Sequence, residues 1–254
     1  MHNPPSLSDH EFLRYSRQLL LEDIGPQGQE SIKNARVLIV GLGGLGSPAA
    51  LYLAAAGVGT LLLADDDTVH LTNLQRQILY RSDDISQGKA RLAQHHLQAL
   101  NPLVECIVLA QRLDGKALRD AVERSDLVLD CSDNMETRHA VNTACLHAAK
   151  PLISGSAVGF SGQLLVLEPP YRHGCYACLY PEQTEPQRNC RTAGVLGPVV
   201  GVIGTLQALE AIKMLAGMPS SLSGKLRLFD GKQQSWHTLQ LSKTHACAVC
   251  GGEA

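Results

Sequence analysis

The sequence predicts a doubly wound α/β sheet, parallel in the N-terminal half and mixed in the C-terminal half, with a zinc-binding knuckle pair. Three observations lead there. Residues Val37 to Ala64 carry no charge and read as strand, glycine turn, helix and strand, closing on Asp65, Asp66 and Asp67. Strand-like and helix-like stretches then alternate as far as Ser154, whereas later strands follow one another without a helix between every pair. Finally, two matching Cys-x-x-Cys pairs, Cys175/Cys178 and Cys247/Cys250, lie in the second half.

An N-terminal arm over about 6–34 comes first. Ser8-Asp9-His10-Glu11 has capping-box spacing, and Phe12, Tyr15, Leu19 and Ile24 recur near helical period, which predicts one short amphipathic helix. Arg14 and Arg17 share a face of it, and spacing alone fits a solvated face as well as a functional one. The core, about 35–170, opens with Val37-Leu38-Ile39-Val40, short and β-branched and therefore a buried strand. Gly41-Leu42-Gly43-Gly44-Leu45-Gly46 follows, then a small-residue helix to Ala56 and a second strand, Thr60 to Ala64. This Rossmann-like unit turns backbone amides and a helix N-terminus towards phosphates, and the carboxylate after its second strand suits ribose hydroxyls. Its glycines, Pro48 and abrupt acidic end argue against a membrane span.

Thr72-Asn73-Leu74-Gln75-Arg76-Gln77 offers amides and a guanidinium suited to a nucleotide, or a plain surface helix. Lys89 stands at the start of a helix running to Leu100, where the dipole disfavours a cation unless an anion is near; a solvated lysine is the alternative. Val104 to Leu109 reads as a strand, the Leu118 region as a helix, and Asp126 to Asp130 as a strand delivering Cys131-Ser132-Asp133-Asn134 to its carboxyl end. There Asp133 is either a Mg²⁺ or polar ligand or the N-cap of a helix from Met135 to Ala149. Pro151–Ser154, Gly162–Leu167, Lys225–Phe229 and Ser235–Leu241 complete the strands. A long apolar helix starts at Pro198, and Gly194, Gly197, Gly201, Gly204 and Ala208 make a bare stripe suited to close packing. With no repeat or linker, residues 1–254 are expected to form one domain.

A net charge of -2 and 4% aromatic residues advertise neither a phosphate-tracking surface nor a base-stacking platform, so nucleic acid is not an expected partner. The start is polar, with no leader pattern, which predicts a cytoplasmic protein with no membrane association. In a reducing compartment the two knuckles fit a closed tetrahedral structural Zn²⁺ site; a redox Cys-x-x-Cys would explain one pair but not both. Cys106, Cys131 and Cys145 sit in apolar contexts and are expected to be inert. Cys190 lies between Arg188 and Arg191 in a polar stretch, part of an expected mobile loop at 180–193, where the flanking charges favour a reactive thiolate.

Alone, the glycine fingerprint usually suggests a nicotinamide or flavin enzyme, and a dehydrogenase or a zinc-stapled binding protein stays open on that evidence. The Walker pattern is absent. Taken together, the Gly41–Gly46 turn, Asn73-Leu74-Gln75-Arg76-Gln77, Asp133-Asn134 and the paired knuckles resemble the ThiF/MoeB family, relatives of the ubiquitin-activating enzymes. The resemblance runs from Arg14-Tyr15-Ser16-Arg17-Gln18 to Cys250-Gly251. Asp65-Asp66-Asp67, Arg188 to Gly194 and Leu228-Phe229-Asp230-Gly231-Lys232 are more similar to the thiamine-pathway branch than to the molybdopterin branch; Thr72 stands where the family commonly has serine.

The resemblance implies ATP-dependent adenylation of the C-terminal Gly-Gly carboxylate of a small ThiS-like sulfur carrier, in a homodimer served by a sulfur-donor protein. By the same resemblance, Gly41, Gly43, Gly44 and Gly46 take phosphates and Asp65 the ribose. Thr72, Asn73, Leu74, Gln75, Arg76, Lys89, Asp133 and Asn134 line the nucleotide, with Asp133 holding Mg²⁺. Arg17 would reach the partner's nucleotide, and Cys190 would handle sulfur.

Overall fold

The computed structural model describes residues 7–181 and 193–251. The N-terminal arm forms three short helices rather than one: α1 (Asp9–Arg14), α2 (Ser16–Leu19) and α3 (Gly25–Asn34). The Ser8/Glu11 capping box starts α1 as its spacing predicts. The break falls at Tyr15, whose buried side chain is spent on long-range contacts: its hydroxyl accepts from Asn101 Nδ2 at 2.9 Å and its ring lies over Gly57. Gln18 and Gln29 both donate to the Ala56 carbonyl, so the arm is bolted to the main body by polar contacts.

The remaining elements are β1 (Arg36–Val40), α4 (Gly46–Ala56), β2 (Thr60–Ala64), α5 (Lys89–Leu100), β3 (Glu105–Leu109), α6 (Gly115–Glu123), β4 (Leu127–Asp130), α7 (Met135–His147), β5 (Leu152–Val158), β6 (Ser161–Leu167), α8 (Tyr176–Leu179), α9 (Gly197–Leu215), β7 (Lys225–Asp230) and β8 (Ser235–Gln240). One eight-stranded sheet takes the order β3-β2-β1-β4-β5-β6-β7-β8. β3 through β5 pair in parallel, and β5 through β8 antiparallel. The expected change from parallel to mixed therefore falls at β5.

Because β1, β2 and β4 are apolar on both faces, they are buried on both. One face packs under α4, α5 and α9, the other under α6 and α7. By length and composition α9 could cross a membrane. Here Ile203, Gln207, Ala208 and Ala211 are buried against the sheet and α4. The glycine stripe explains the fit at two positions: a Cβ on Gly204 would stand 2.3 Å from the Leu45 carbonyl oxygen, and one on Gly197 would stand 2.6 Å from that of Gln75. Gly194 and Gly201 face open space.

Candidate active site

All the chemistry-bearing loops leave the carboxyl ends of β1, β2, β4 and β5, where ligands gather in doubly wound sheets. They enclose a cleft of about 890 Å³. Its first wall is the glycine turn. Gly41 has φ +91°, and a Cβ there would stand 2.8 Å from the Cys131 carbonyl oxygen; a Cβ on Gly46 would stand 2.0 Å from that of Gly41. These two glycines shape the turn for internal reasons; Gly41, Gly43 and Gly44 line the cleft, and Gly46 does not.

Asp65 ties this turn to β2. One carboxylate oxygen accepts from Leu42 N at 2.7 Å and the other from Asp67 N at 2.9 Å. Burial pushes its carboxyl above the ordinary carboxylate range, against the opposing pull of Lys89 and the two amides. Tyr80 fastens the same turn, its hydroxyl donating to the Leu42 carbonyl at 2.8 Å.

The second wall carries the cations. Of the Thr72–Gln77 stretch only Arg76 and Gln77 line the cleft. The others shape the segment: Asn73 Oδ1 accepts from His70 N, the Thr72 carbonyl accepts from Arg76 Nη1, Leu74 packs on the core, and the Gln75 backbone abuts Gly197. Lys89 is neither solvated nor held by a ligand alone. It is buried, and its Nζ donates to Asp67 Oδ2 at 2.6 Å. Partial burial works to raise the Asp67 carboxyl, but Lys89 outweighs it and holds Asp67 below the usual range.

The third wall follows β4. Asn134, not Asp133, caps α7, accepting from Thr137 N at 2.9 Å, which leaves Asp133 exposed towards the cleft. Behind it lies a network that the sequence reading missed. Asp130 is buried and forms an ion pair with Arg138 at 3.6 Å, while Ser132 and Ser154 donate to its carboxylate at 2.6 and 2.8 Å. Beyond this, the cleft continues to Ser156, Gln163 and Tyr180; Gln163 Oε1 accepts from both hydroxyls.

Arg17 does not line the cleft of its own chain. The arm is anchored at Gly57, the far end of α4, about 16 Å from the glycine turn for a helix of this length.

Cys175, Cys178, Cys247 and Cys250 bring their four Sγ atoms within 4.8 Å of one another, outside the cleft. Gly174 and Gly251 permit this approach: a Cβ on the first would stand 3.1 Å from Cys178 Sγ, and one on the second 2.4 Å from the Cys247 carbonyl oxygen. Burial opposes ionisation of Cys247, yet the amides of Cys250 and Val249 lower its thiol to about 6. Burial pushes Cys106 up to about 11 and raises Cys131 and Cys145 further, in keeping with inert core thiols. Cys190 and its flanking arginines lie outside the described residues.

A model of the ThiF family matches residues 15–249. The chain belongs to the ThiF family. This ThiF-family chain is 60% identical to the sulfur carrier protein ThiS adenylyltransferase of Escherichia coli over 97% of its length and 98% of that protein. It is 44% identical to the molybdopterin-synthase adenylyltransferase of the same organism, covering 96% of this chain and 98% of that one. Among solved structures, E. coli MccB with ATP superposes with a TM-score of 0.79 at 25% identity, over 94% of this chain and 73% of that one.

Proposed function

We propose that this chain adenylates the C-terminal Gly-Gly carboxylate of a small ThiS-like sulfur-carrier protein with ATP, releasing pyrophosphate, as a step towards the carrier thiocarboxylate in thiazole and thiamine biosynthesis. The observation that carries the reading is the 60% identity to a ThiS adenylyltransferase across nearly both whole chains. The cleft supports it: a glycine turn, the cationic residues Arg76, Lys89, Arg112 and Arg138, and an acidic wall converge on one space. A molybdopterin-type carrier is the alternative, favoured by the 44% relative, and carrier preference separates the two.

The carrier carboxylate is ionised at neutral pH, so attack on the α-phosphate needs no general base. An oxygen–phosphorus bond forms as the bond to the β-phosphate oxygen breaks, giving acyl-adenylate and pyrophosphate. What the protein supplies is placement and charge. Amides of the Gly41–Gly46 turn and the N-terminus of α4 meet the phosphates, Arg76 and Lys89 neutralise developing charge, and free lone pairs of Asp65 meet the ribose. Mg²⁺ takes one or two carboxylates plus phosphate oxygens. Asp133 fits that need, being exposed to the cleft, whereas Asp130 is consumed by Arg138. The ion would screen the phosphates.

The cysteine cluster fits Zn²⁺, four thiols in tetrahedral reach with no ligand position left over, and would staple the C-terminus to the loop after β6. In a cytoplasmic homodimer served by a sulfur-donor protein, Arg17 would complete the partner's cleft, and Cys190 would be the sulfur-handling thiol, linked transiently to the carrier. ATP–pyrophosphate exchange with a purified ThiS-like carrier tests the central claim. Wild type should exchange, and Asp133→Ala and Arg76→Ala should each lose activity at least about tenfold, one missing charged contact. Full exchange in either variant would refute the site assignment.

A further inference from the structure

β4 and β5 run in register through Asp130 and Ser154 and then part: β4 ends, while β5 continues to Val158 against β6 alone. Parting strands strand their carbonyls, and a buried carbonyl without a donor is costly. Two side chains from opposite faces of the sheet satisfy them. From α9, Gln207 Nε2 donates to the Asp130 and Ile153 carbonyls at 2.9 and 3.1 Å. From α7, Arg138 donates to the Ser132 and Gly155 carbonyls at 2.5 and 2.9 Å and to Ser154 Oγ at 3.2 Å. The Asp130 carboxylate balances the guanidinium charge and holds Ser132 N at 3.0 Å. Gly155 is bare because a Cβ would stand 2.3 Å from Gln207 Oε1. Every contact lies at the base of the Ser132–Asn134 loop.

We propose that Arg138 and Gln207 clamp the β4–β5 fork, and that Arg138 is a positioning residue that acts through Asp133 on the metal of the bound nucleotide. The fork itself is independent of the adenylation reading; the effect on the metal rests on it.

Arg138→Lys tests this in the full chain, since a lysine keeps the charge beside Asp130 but lacks the rigid fork that bridges two carbonyls. Without nucleotide, amide hydrogen exchange across 131–135 should quicken about tenfold while β1 is unchanged, a local opening rather than a global one. With ATP, the half-saturating Mn²⁺ concentration read by electron paramagnetic resonance should rise by a similar factor, about tenfold for one lost charged hydrogen bond. Ser154→Ala, which removes only the hydroxyl between Asp130 and Arg138, should show the same two changes at about threefold, and decides the matter if Arg138→Lys does not fold. Unchanged exchange at 131–135 in a folded variant overturns the clamp. Faster exchange with unaltered Mn²⁺ binding overturns the positioning of Asp133. A wild type that binds no Mn²⁺ with ATP sinks the adenylation reading, and the exchange result still decides the clamp.

Discussion

Gly44 and Gly46 sit two residues apart in the same turn, yet the structure gives them different reasons to be glycine. At Gly46 a methyl group would stand 2.0 Å from the Gly41 carbonyl oxygen, more than 1 Å inside contact distance, and the obstacle is backbone on both sides. Relief requires the turn to open. Overpacking of this kind costs about 1–3 kcal/mol. At about 2–4 °C per kcal/mol for a chain of this size, Gly46→Ala should lower the melting temperature by roughly 2–12 °C. At Gly44 the same methyl would meet Val200 Cγ2 at 3.3 Å and Arg76 Cγ at 3.4 Å, side-chain atoms that can yield by a few tenths of an ångström. Gly44→Ala should therefore melt within about 2 °C of wild type, a cost below about 0.5 kcal/mol. Its methyl group would project where a phosphate approaches the amides, so exchange activity should fall by at least about tenfold, the loss of about 1.4 kcal/mol of binding. Differential scanning calorimetry and ATP–pyrophosphate exchange on the two variants separate the effects. A Gly44→Ala enzyme with full activity, or a Gly46→Ala enzyme with unchanged melting, would refute the division of labour.

Cys178→Ser removes one of four thiols, so metal analysis should fall from about one zinc per chain to well below half, with loss of thermal stability but no direct effect on the cleft, which the cluster does not line. Asp84 accepts from Arg81 N at 2.7 Å and pairs with His96 at 2.9 Å, and these contacts outweigh burial and hold its carboxyl below the ordinary range. A depressed carboxyl stabilises the fold above its unfolded value, about 3.9, and the contribution fades as pH drops through the lower folded value. Wild type should therefore lose melting temperature below about pH 4, and Asp84→Asn should start lower and lose less. An equal slope in both would refute the role of Asp84. For Arg17 in trans, Arg17→Ala and Asp133→Ala are each expected to be nearly inactive alone, while a mixture allowed to exchange subunits should recover about a quarter of wild-type sites, because half of the dimers are then mixed and each carries one intact site. No recovery in verified mixed dimers would refute it.

The strand–turn–helix–strand unit was legible because burial on both faces leaves β1 and β2 apolar beyond their first residues, Arg36 and Thr60, and because the turn tolerates only glycine at Gly41 and Gly46. The cysteine knuckles were legible because thiols in paired spacing have few other uses in a reducing compartment. The clamp was not: Arg138 and Gln207 are polar residues inside helices, and nothing in their local sequence distinguishes them from solvated positions until the β4–β5 fork shows the carbonyls they satisfy. The ion pair of Lys89 was hidden for a related reason. Its partner Asp67 is 22 residues away, and only the pairing of Thr68 with Gly88 brings the two together. In the arm, the helical period at Phe12, Tyr15 and Leu19 was real but mixed two destinations, since Tyr15 is buried against Gly57 and Phe12 is exposed.

The longest helix among the described residues bears most directly on the phosphate site. α9 presses on the glycine turn through Gly204 against the Leu45 carbonyl, and on the arginine-bearing segment through Gly197 against the Gln75 carbonyl. Val200, between them on the same helix, lines the cleft beside Gly44. About two turns beyond Val200, Gln207 fixes the β4–β5 fork beneath Asp133. A single rigid helix therefore sets the spacing between the three walls that meet the nucleotide. Because the contacts at Gly197 and Gly204 are made at distances that forbid a side chain, and the third is fixed by the Gln207 amide, they leave α9 no room to adjust independently of the walls. That is why a helix apolar enough for a membrane belongs here against the sheet: its bare positions fall where two of the loops come closest, and its one buried amide reaches the third.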